Sequence, residues 1–377
     1  MIRRRLPVIK KESKVIRCKR YSRLIYFIPL AVILLERVYI PFKFDLNANL
    51  QERDVTTQSK ISQATPDYRF STKVPPLDKL AAISVLESCP YQSRKVENVH
   101  LSLSVSLETP KIPRIVHQTS KSRCLTAAFT NVTSHWKLSG WSYYFHDDDA
   151  IDRLFKLEFP EFPHLRNIFR NCMTNGTLKA DLWRYLVLWV YGGVYADFDS
   201  APNKFSFDTI DDSDDGFFVV EQYHILSQWF MAMSPRHPLM YYAIQHSLLN
   251  LLEAEDTQQI GAHAKTGPHA MHKAYMDFRK DAGEIIDPLG PGFKPVRSGV
   301  FTGSQNRTIR VVGVGENENE YVQRLAITAS VRKRDYKKMG MTHFSKFTAS
   351  NGGRRSGSTC LGAMLSHTFA AISKRAT

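Results

Sequence analysis

The sequence predicts an α/β fold, and three of its features lead to that prediction. Residues 178–199 read as a helix, a Gly-Gly stop and a short buried strand. Two further apolar runs, at 111–119 and 141–146, read as core strands, and a predicted helix follows the second. The chain has 377 residues and 43% hydrophobic content, which suffices for one globular core of about 250 residues with extensions.

The helix predicted at 178–191 carries apolar and aromatic residues at the three- and four-residue spacings of a buried face. Gly192 and Gly193 then end it, because glycine readily adopts the left-handed conformation that closes a last helical turn. The run 194–196 is too apolar for an exposed edge. We therefore expect this strand at the centre of a sheet.

Two aspartates, Asp197 and Asp199, follow that strand at its carboxyl end. Side chains alternate between the faces of a strand, so both carboxylates are expected on one side and Phe198 on the other. Neighbouring carboxylates repel each other unless a cation lies between them, and a hard divalent ion bound through oxygen meets that need. On the helix, Asp181 and Arg184 share a face and suit the hydroxyls and phosphate oxygens of a nucleotide-sugar.

The runs 179–185, KADLWRY, and 191–199, YGGVYADFD, resemble the core of the DXD sugar-binding-region glycosyltransferases. That family includes α-1,6-mannosyltransferases and inositol-phosphoceramide mannosyltransferases. The resemblance implies a GT-A type, Rossmann-like nucleotide-sugar-binding domain with a central mixed sheet. It also implies that Asp197 and Asp199 hold Mn²⁺, or another divalent cation, on the donor diphosphate. Asp181 and Arg184 are then expected to contact the donor sugar or ribose, and all four residues are the expected catalytic set.

Three polar residues, His117, Gln118 and Thr119, end the first core strand, whose opening IPRIVHQT is similar to that of the family. Ligands of open α/β sheets bind outside the carboxyl ends of strands, so this tripeptide is expected to contact the nucleotide. The alternative is that His117 is only hydrogen-bonded at a strand end.

Two further sites follow from the resemblance. Thr266, Gly267 and Pro268 precede a helix expected to run through Phe278, and relatives often show Thr-Gly-Pro near the donor or acceptor. His343 stands where relatives carry a late histidine that can complete the metal shell. The tryptophan that usually follows that histidine is absent here, so a surface histidine is the alternative.

The amino-terminal residues are strongly basic. Residues 1–23 carry a net charge of +9 out of the total of +15, so the basic excess is mostly a tail and does not indicate nucleic-acid binding. The segment 24–42 is expected to be a signal-anchor transmembrane helix with its basic flank in the cytosol. A cleaved signal peptide and an organelle transit peptide are the alternatives. The remaining domains are expected to be a stem (43–110), the catalytic domain (111–350) and a C-terminal tail (351–377).

Sequons and cysteines agree with a lumenal catalytic domain. Glycosylation acceptors are expected at Asn131, Asn175 and Asn306. Beyond the anchor, the sequence has four cysteines that allow three pairings, and it does not choose among them: Cys89, Cys124, Cys172 and Cys360. We expect a single-pass type II protein of the Golgi membrane.

Other elements are predicted from periodicity and from capping residues. Helices are expected at 150–159, after an acidic start at 147–149, and at 165–172 and 237–252; strands are expected at 217–220, 225–233, 311–314 and 325–331. The acids Asp208, Asp211, Asp212, Asp214 and Asp215 are expected to form a solvated loop.

Together with these features, the resemblance implies a metal-dependent retaining glycosyltransferase. We expect it to move a hexose, mannose from GDP-mannose, to a glycan or glycolipid in the Golgi lumen. The alternatives are a UDP-sugar-dependent galactosyl- or N-acetylglucosaminyltransferase of the same family, a DxD phosphohydrolase, and a non-catalytic lumenal sugar-binding relative. The residues do not choose the donor, because the candidate donors differ by one or two hydroxyl contacts.

Overall fold

The structure is a computed structural model. It describes residues 74–83, 88–90, 92–100, 110–173, 176–220, 225–254, 261–283, 296–313, 320–341, 359–360 and 362. The expected tail and anchor, most of the expected stem, Asn175 and His343 lie outside these residues. Among the helices that are described, none combines the length and the apolar character needed to cross a bilayer.

The described residues form eleven strands and nine α-helices. The helices are α1 (Leu77–Leu80), α2 (Ala127–Ser134), α3 (Asp148–Phe155), α4 (Leu165–Cys172), α5 (Gly176–Tyr191), α6 (Pro238–Leu252), α7 (Ala262–Lys265), α8 (Pro268–Lys280) and α9 (Ala329–Lys338). The strands are β1 (Ser93–Lys95), β2 (Ile115–Thr119), β3 (Cys124–Thr126), β4 (Ser142–His146), β5 (Gly193–Ala196), β6 (Ala201–Pro202), β7 (Gly216–Val220), β8 (Leu226–Met233), β9 (Gly299–Thr302), β10 (Thr308–Val312) and β11 (Val322–Gln323).

Seven of these strands form one mixed sheet in the order β4-β2-β5-β8-β7-β10-β9. β2 pairs in parallel with β4 and with β5, and β10 pairs in parallel with β7. β8 runs antiparallel to β5 and to β7, and β9 runs antiparallel to β10. The prediction of an α/β fold with a mixed sheet is confirmed, and β5 lies inside the sheet as expected.

The sheet lies between two apolar clusters, and successive side chains of a strand belong to one cluster and then to the other. On β5, Tyr195 belongs to the cluster that contains α5 and α6, whereas Val194 and Ala196 belong to the cluster around Trp136 and Phe129. This two-residue alternation is the one that a strand buried on both faces requires. The helix α5 is buried on nearly every side, because it contacts α3, α6 and α7 as well as β5 and β8.

Part of the segment predicted as a stem packs against the sheet. β1 pairs antiparallel with β3, and Val99 forms a bridge with Tyr143 of β4. A disulfide joins Cys89 to Cys124, and a second joins Cys172 to Cys360. The structure therefore selects one of the three pairings that the sequence left open.

One predicted strand is wrong. Residues 325–331 contain no strand, because Leu325 has a left-handed backbone with φ of 54° and α9 begins at Ala329. The alternating residues that suggested a strand lead instead into a run rich in lysine and arginine, which are good helix formers. The helix predicted at 150–159 begins earlier, at Asp148, and ends at Phe155.

The prediction of a solvated acidic loop is wrong for two of its five residues. Asp208, Asp211 and Asp212 are exposed, but Asp214 and Asp215 are buried. Nε of Arg310 donates to Asp214 at 2.9 Å, and Nη2 of Arg307 donates to Asp215 at 2.7 Å. Burying a charged side chain is favourable only when it is paired, and these arginines of the β10 region supply the pairing.

Candidate active site

The chain turns sharply where β5 ends. The backbone N–H of Asp197 donates to the carbonyl of Trp229 in β8 at 2.8 Å, which is the last ladder contact on that side. The N–H of Ser200 then donates back to the carbonyl of Asp197 at 3.0 Å. Asp197 and Asp199 therefore lie on a turn at the carboxyl end of β5, and the simple strand alternation expected for them does not apply.

Gly192, directly before β5, and Gly193, its first residue, determine how closely β5 approaches β2. Gly192 and Gly193 have φ of +67° and +94°, so both occupy the left-handed region predicted for them. A Cβ atom on Gly193 would lie 2.6 Å from the carbonyl oxygen of Ile115. Glycine at this position thus allows β5 to pair with β2 and brings the aspartates beside the end of β2.

A cavity of about 380 Å³ opens at this edge of the sheet. Its walls come from the ends of β2 and β5, the first turns of α3 and α5, and the segment around α9. The lining residues are Thr119, Ser120, Lys121, Asp148, Ile151, Gly176, Thr177, Ala180, Arg184, Tyr195, Asp197, Phe198, Asp199, Arg324, Leu325, Tyr336, Gly340 and Met341.

Arg184 lies at the centre of the polar contacts around this cavity. Its Nη2 atom is 3.1 Å from Oδ1 of Asp181 and 3.4 Å from Oδ1 of Asp197. Its Nη1 atom donates to the carbonyl of Gln228 at 3.1 Å, and its guanidinium lies over the ring of Tyr195. Burial disfavours the charge, but Asp197, Tyr195 and Asp181 together raise the pKa of Arg184, so it remains a cation.

Asp181 lies behind Arg184 and is buried. Its Oδ2 atom accepts from the hydroxyl of Thr266 at 2.9 Å, and its Oδ1 atom accepts from the side-chain amide of Gln228 at 3.4 Å. Burial raises the pKa of Asp181 to about 6, although Arg184 and Thr266 oppose that rise. Arg184 lines the cavity and Asp181 does not, so the structure places this acid where it holds the arginine.

Asp197 is close enough to Asp199 to disfavour the charge on Asp199. Burial first, and then the charge of Asp197, raise the pKa of Asp199 to about 6, while Arg332, the hydroxyl of Tyr336 and Arg324 lower it. The Tyr336 hydroxyl donates to Oδ2 of Asp199 at 3.2 Å. On the other acid, the hydroxyl of Tyr195 donates to Oδ1 of Asp197 at 2.7 Å.

These two carboxylates fit a hard divalent cation. Both line the cavity, both offer oxygen ligands, and their mutual repulsion is the condition that a bound cation relieves. Among the described residues, no group of three or more His, Cys, Asp or Glu side chains is arranged to hold a metal ion. The donor set therefore resembles sites in which one or two carboxylates share the ion with substrate phosphates and water.

The polar residues predicted at the end of β2 are placed differently from one another. His117 is fully buried, and its ring nitrogens lie 3.1 Å from the carbonyl oxygen of Gly192 and 3.2 Å from Nε2 of His146. Gln118 is also fully buried and donates from Nε2 to the carbonyl of Asp197 at 3.1 Å. Of the three, Thr119 alone lines the cavity. Burial lowers the pKa of His117 to about 4, which keeps this ring neutral.

The Thr-Gly-Pro segment approaches the site from behind. Thr266 bonds Asp181, and its carbonyl accepts from the hydroxyl of Tyr185 at 2.9 Å. Gly267 packs closely on α7, since a Cβ atom there would lie 2.8 Å from Cα of His263. Pro268 is the first residue of α8. The structure thus connects this segment to the cavity through Asp181 and Arg184.

Arg324, Leu325 and Tyr336 are cavity residues that the sequence reasoning missed. Leu325 begins the run for which a strand was predicted, Arg324 precedes it and Tyr336 lies in α9, and no local motif marks any of the three as a site residue. Of the predicted glycosylation acceptors, Asn131 and Asn306 are exposed.

Comparisons with known proteins agree with the motif. Residues 84–216 match the family described as glycosyltransferase sugar-binding region containing DXD motif. Over 144 residues the chain is 28% identical to inositol phosphoceramide mannosyltransferase 1 of Schizosaccharomyces pombe, a match that covers 37% of this chain and 44% of that protein. Over 194 residues it is 24% identical to initiation-specific alpha-1,6-mannosyltransferase of the same organism, covering 44% of this chain and 48% of that protein.

The chain thus spans a little under half the length of these curated relatives. Among solved structures, PaToxG glycosyltransferase matches with a TM-score of 0.36 and 14% identity, over 47% of this chain and 71% of that one. The resemblance seen in the sequence is confirmed: residues 84–216, which contain Asp181, Arg184, Asp197 and Asp199, match the family of glycosyltransferases with a DXD sugar-binding region.

Proposed function

We propose that this protein is a divalent-metal-dependent glycosyltransferase that moves mannose from GDP-mannose to a glycan or glycolipid acceptor. The observation that carries the proposal is the arrangement of Arg184, Asp197 and Asp199 on one cavity at the carboxyl edge of a mixed sheet. The names of the two curated relatives support mannose as the sugar. The sheet, with its parallel strands β4, β2 and β5, is consistent with a GT-A type domain.

Each residue of the site has its own role in binding the donor or the cation. Asp197 and Asp199 would hold Mn²⁺ or another divalent cation, which when bound neutralises charge on the departing diphosphate. Arg184 presents its guanidinium to the cavity, where it can orient a sugar hydroxyl or a phosphate oxygen. Asp181 fixes the guanidinium from behind, and Tyr336 holds Asp199 by its hydroxyl hydrogen bond. We include retention of the anomeric configuration in the proposal on the family resemblance.

We also propose that the protein is a single-pass type II protein of the Golgi membrane, with its catalytic domain in the lumen. The basic tail followed by the apolar segment 24–42 supports the topology. The two disulfides support an oxidising compartment, since such bonds are rare in the cytosol. Exposed sequon asparagines at 131 and 306 agree with lumenal glycosylation.

Donor hydrolysis by the full-length chain tests this function. The chain is incubated with Mn²⁺ and, separately, GDP-mannose, UDP-galactose and UDP-N-acetylglucosamine, and the released nucleoside diphosphate is measured. We expect release from GDP-mannose that stops with a chelator and in Asp199→Asn, but continues in Asp208→Asn, a change at an exposed acid. Release from a UDP-sugar alone would contradict the donor, and cleavage of an aryl phosphate alone would favour a phosphohydrolase.

A further inference from the structure

The cavity has a second polar end, away from Asp197 and Asp199. Asp148 follows β4, and Lys121 follows β2; both side chains line the cavity. The flanking acids differ: Asp147 caps α3 by accepting from the N–H of Ala150 at 2.9 Å, and Asp149, which is exposed as Asp148 also is, is not part of the wall. Asp148 is therefore the one acid of this helix start that faces the cavity.

The sheet register places this end at a defined distance from the metal-binding acids. β4 and β5 flank β2 in parallel, so the carboxyl ends of all three strands meet at the same edge. Neighbouring strands are about 4.8 Å apart, so residues after β4 and after β5 are separated by about 10 Å. A ribose and its α-phosphate bridge such a gap. A nucleoside diphosphate with its phosphates at Asp197 and Asp199 is therefore long enough to reach Asp148 and Lys121 with its base.

Asp148 and Lys121 offer an acceptor and a donor side by side. The backbone N–H of Asp148 donates to the carbonyl of Lys121 at 3.4 Å, so the two side chains start from adjoining backbone. Burial raises the pKa of Asp148, and the ammonium groups of Lys179 and Lys121 oppose that rise. Lys121 donates to the carbonyl of Gly340 at 3.2 Å and, with three N–H groups, can donate to a second acceptor.

Guanine and uracil differ in the hydrogen-bonding groups that they present to a carboxylate beside an ammonium. Guanine presents its O6 acceptor beside two donors, N1–H and the 2-amino group, which match an ammonium beside a carboxylate. Uracil presents a single N–H between two carbonyl oxygens, so it can accept from the ammonium and donate its N–H to the carboxylate. Its second carbonyl oxygen then faces the carboxylate and is repelled, at the position where guanine has an amino donor. Ile151 also lines the cavity, three residues after Asp148 on the same helical face, and offers an apolar surface to the ring.

We infer that Asp148 and Lys121 recognise the guanine base of the donor. This inference rests on the proposed function, because it assumes that a nucleoside diphosphate binds with its phosphates at Asp197 and Asp199. It assigns the choice of nucleotide to residues outside the DXD motif.

Binding of free nucleotides to the full-length chain in the presence of Mn²⁺ tests the inference. The dissociation constants of GDP, IDP, UDP and XDP are measured for the wild type, Asp148→Asn and the matched control Asp149→Asn. We expect the wild type to bind GDP about tenfold more tightly than IDP, which lacks the 2-amino group, since a hydrogen bond to a charged group is lost. UDP should bind more weakly still.

Asp148→Asn should weaken GDP binding about tenfold and should strengthen XDP binding, because the new amide can donate to the 2-oxo group of xanthine. This gain of affinity shows that the variant is folded. Asp149→Asn should leave the order of affinities unchanged. An unchanged preference in Asp148→Asn, or an equal change in Asp149→Asn, would overturn the inference and leave the proposed function intact. Absence of any nucleoside diphosphate binding by the wild type would overturn both.

Discussion

The guanidinium of Arg184 lies 3.4 Å from the carboxylate of Asp197, measured from Nη2 to Oδ1. The same nitrogen is 3.1 Å from Asp181, so one cation is shared between an acid that faces the cavity and an acid that does not. Asp181 thereby acts on the cavity through Arg184. Thr266 and Gln228 in turn fix Asp181, which extends the support of the site to the segment before α8.

We predict that Asp181→Asn lowers donor turnover about 100-fold, since a misplaced binding group commonly costs that much. The variant keeps an oxygen for Thr266 but loses the charge that holds Arg184. We expect no matching loss in the free energy of unfolding, because burial raises the pKa of Asp181 to about 6 and its charge is therefore disfavoured in the folded protein. Steady-state kinetics and urea unfolding measure the two quantities, with Asp149→Asn as the control. Wild-type turnover in Asp181→Asn would show that Arg184 needs no such support.

Gly193→Ala should destabilise the protein through a clash between β5 and β2. The added methyl group would lie 2.6 Å from the carbonyl oxygen of Ile115. Gly283→Ala is the matched control, because Gly283 also has positive φ, +83°, but has no atom within 4 Å of the new methyl group. We expect about 1 kcal/mol for the control, from backbone strain alone, and at least about 2 kcal/mol more for Gly193→Ala. Equal losses in thermal unfolding would contradict the packing argument.

The unit from α5 to β5 could be predicted from the sequence because its signals are local. The spacing of apolar residues marks the helix, and Gly192 and Gly193 mark its end. The sequence did not indicate that Arg184 reaches the cavity while Asp181 stays behind it. Two residues on one helical face are equivalent in periodicity, and only the packing of Thr266 and Gln228 around the shorter side chain distinguishes them.

Contacts between distant parts of the chain could not be predicted. Asp214 was expected in solvent because its partner, Arg310, lies 96 residues later. Tyr336, which bonds Asp199, lies 137 residues later in the sequence. It belongs to α9, whose first residues were predicted as the end of a strand. The pairing of Cys172 with Cys360 is likewise a property of the fold, since four cysteines alone allow three pairings.

We predict that stability falls as the pH is lowered from about 6.5 toward 4, in part through His237. Burial lowers the pKa of His237 to about 4, so between these values the unfolded chain binds a proton that the folded chain does not. His237 caps α6 by accepting from the N–H of Leu239, and asparagine can also cap a helix. His237→Asn should therefore reduce the pH dependence by up to about 1.4 kcal/mol per pH unit.

The measurement is urea unfolding at several pH values between about 4.5 and 7. Asp215 stays ionised over this range, because burial raises its pKa but Arg307, His237 and Ser234 together lower it by more. An identical slope for His237→Asn and the wild type would mean that His237 does not contribute to it.

The disulfide between Cys172 and Cys360 should stabilise the helical side of the core. Both residues are fully buried in the cluster that contains α5 and α6. We expect the double variant Cys172→Ser, Cys360→Ser to lose about 2–5 kcal/mol of unfolding free energy. Peptide mapping without reductant checks the pairing. Recovery of a Cys172 peptide linked to Cys89 or Cys124 would contradict it.

The central claim is that Asp197 and Asp199 bind a divalent cation together with the donor diphosphate. Electron paramagnetic resonance of Mn²⁺ tests it most directly, on the full-length chain with whichever of GDP and UDP the wild type binds. We predict nucleotide-dependent Mn²⁺ binding in the wild type and in the control Asp149→Asn, Asp208→Asn. The double variant Asp197→Asn, Asp199→Asn should lose it. Mn²⁺ binding of wild-type strength in that variant would contradict the claim.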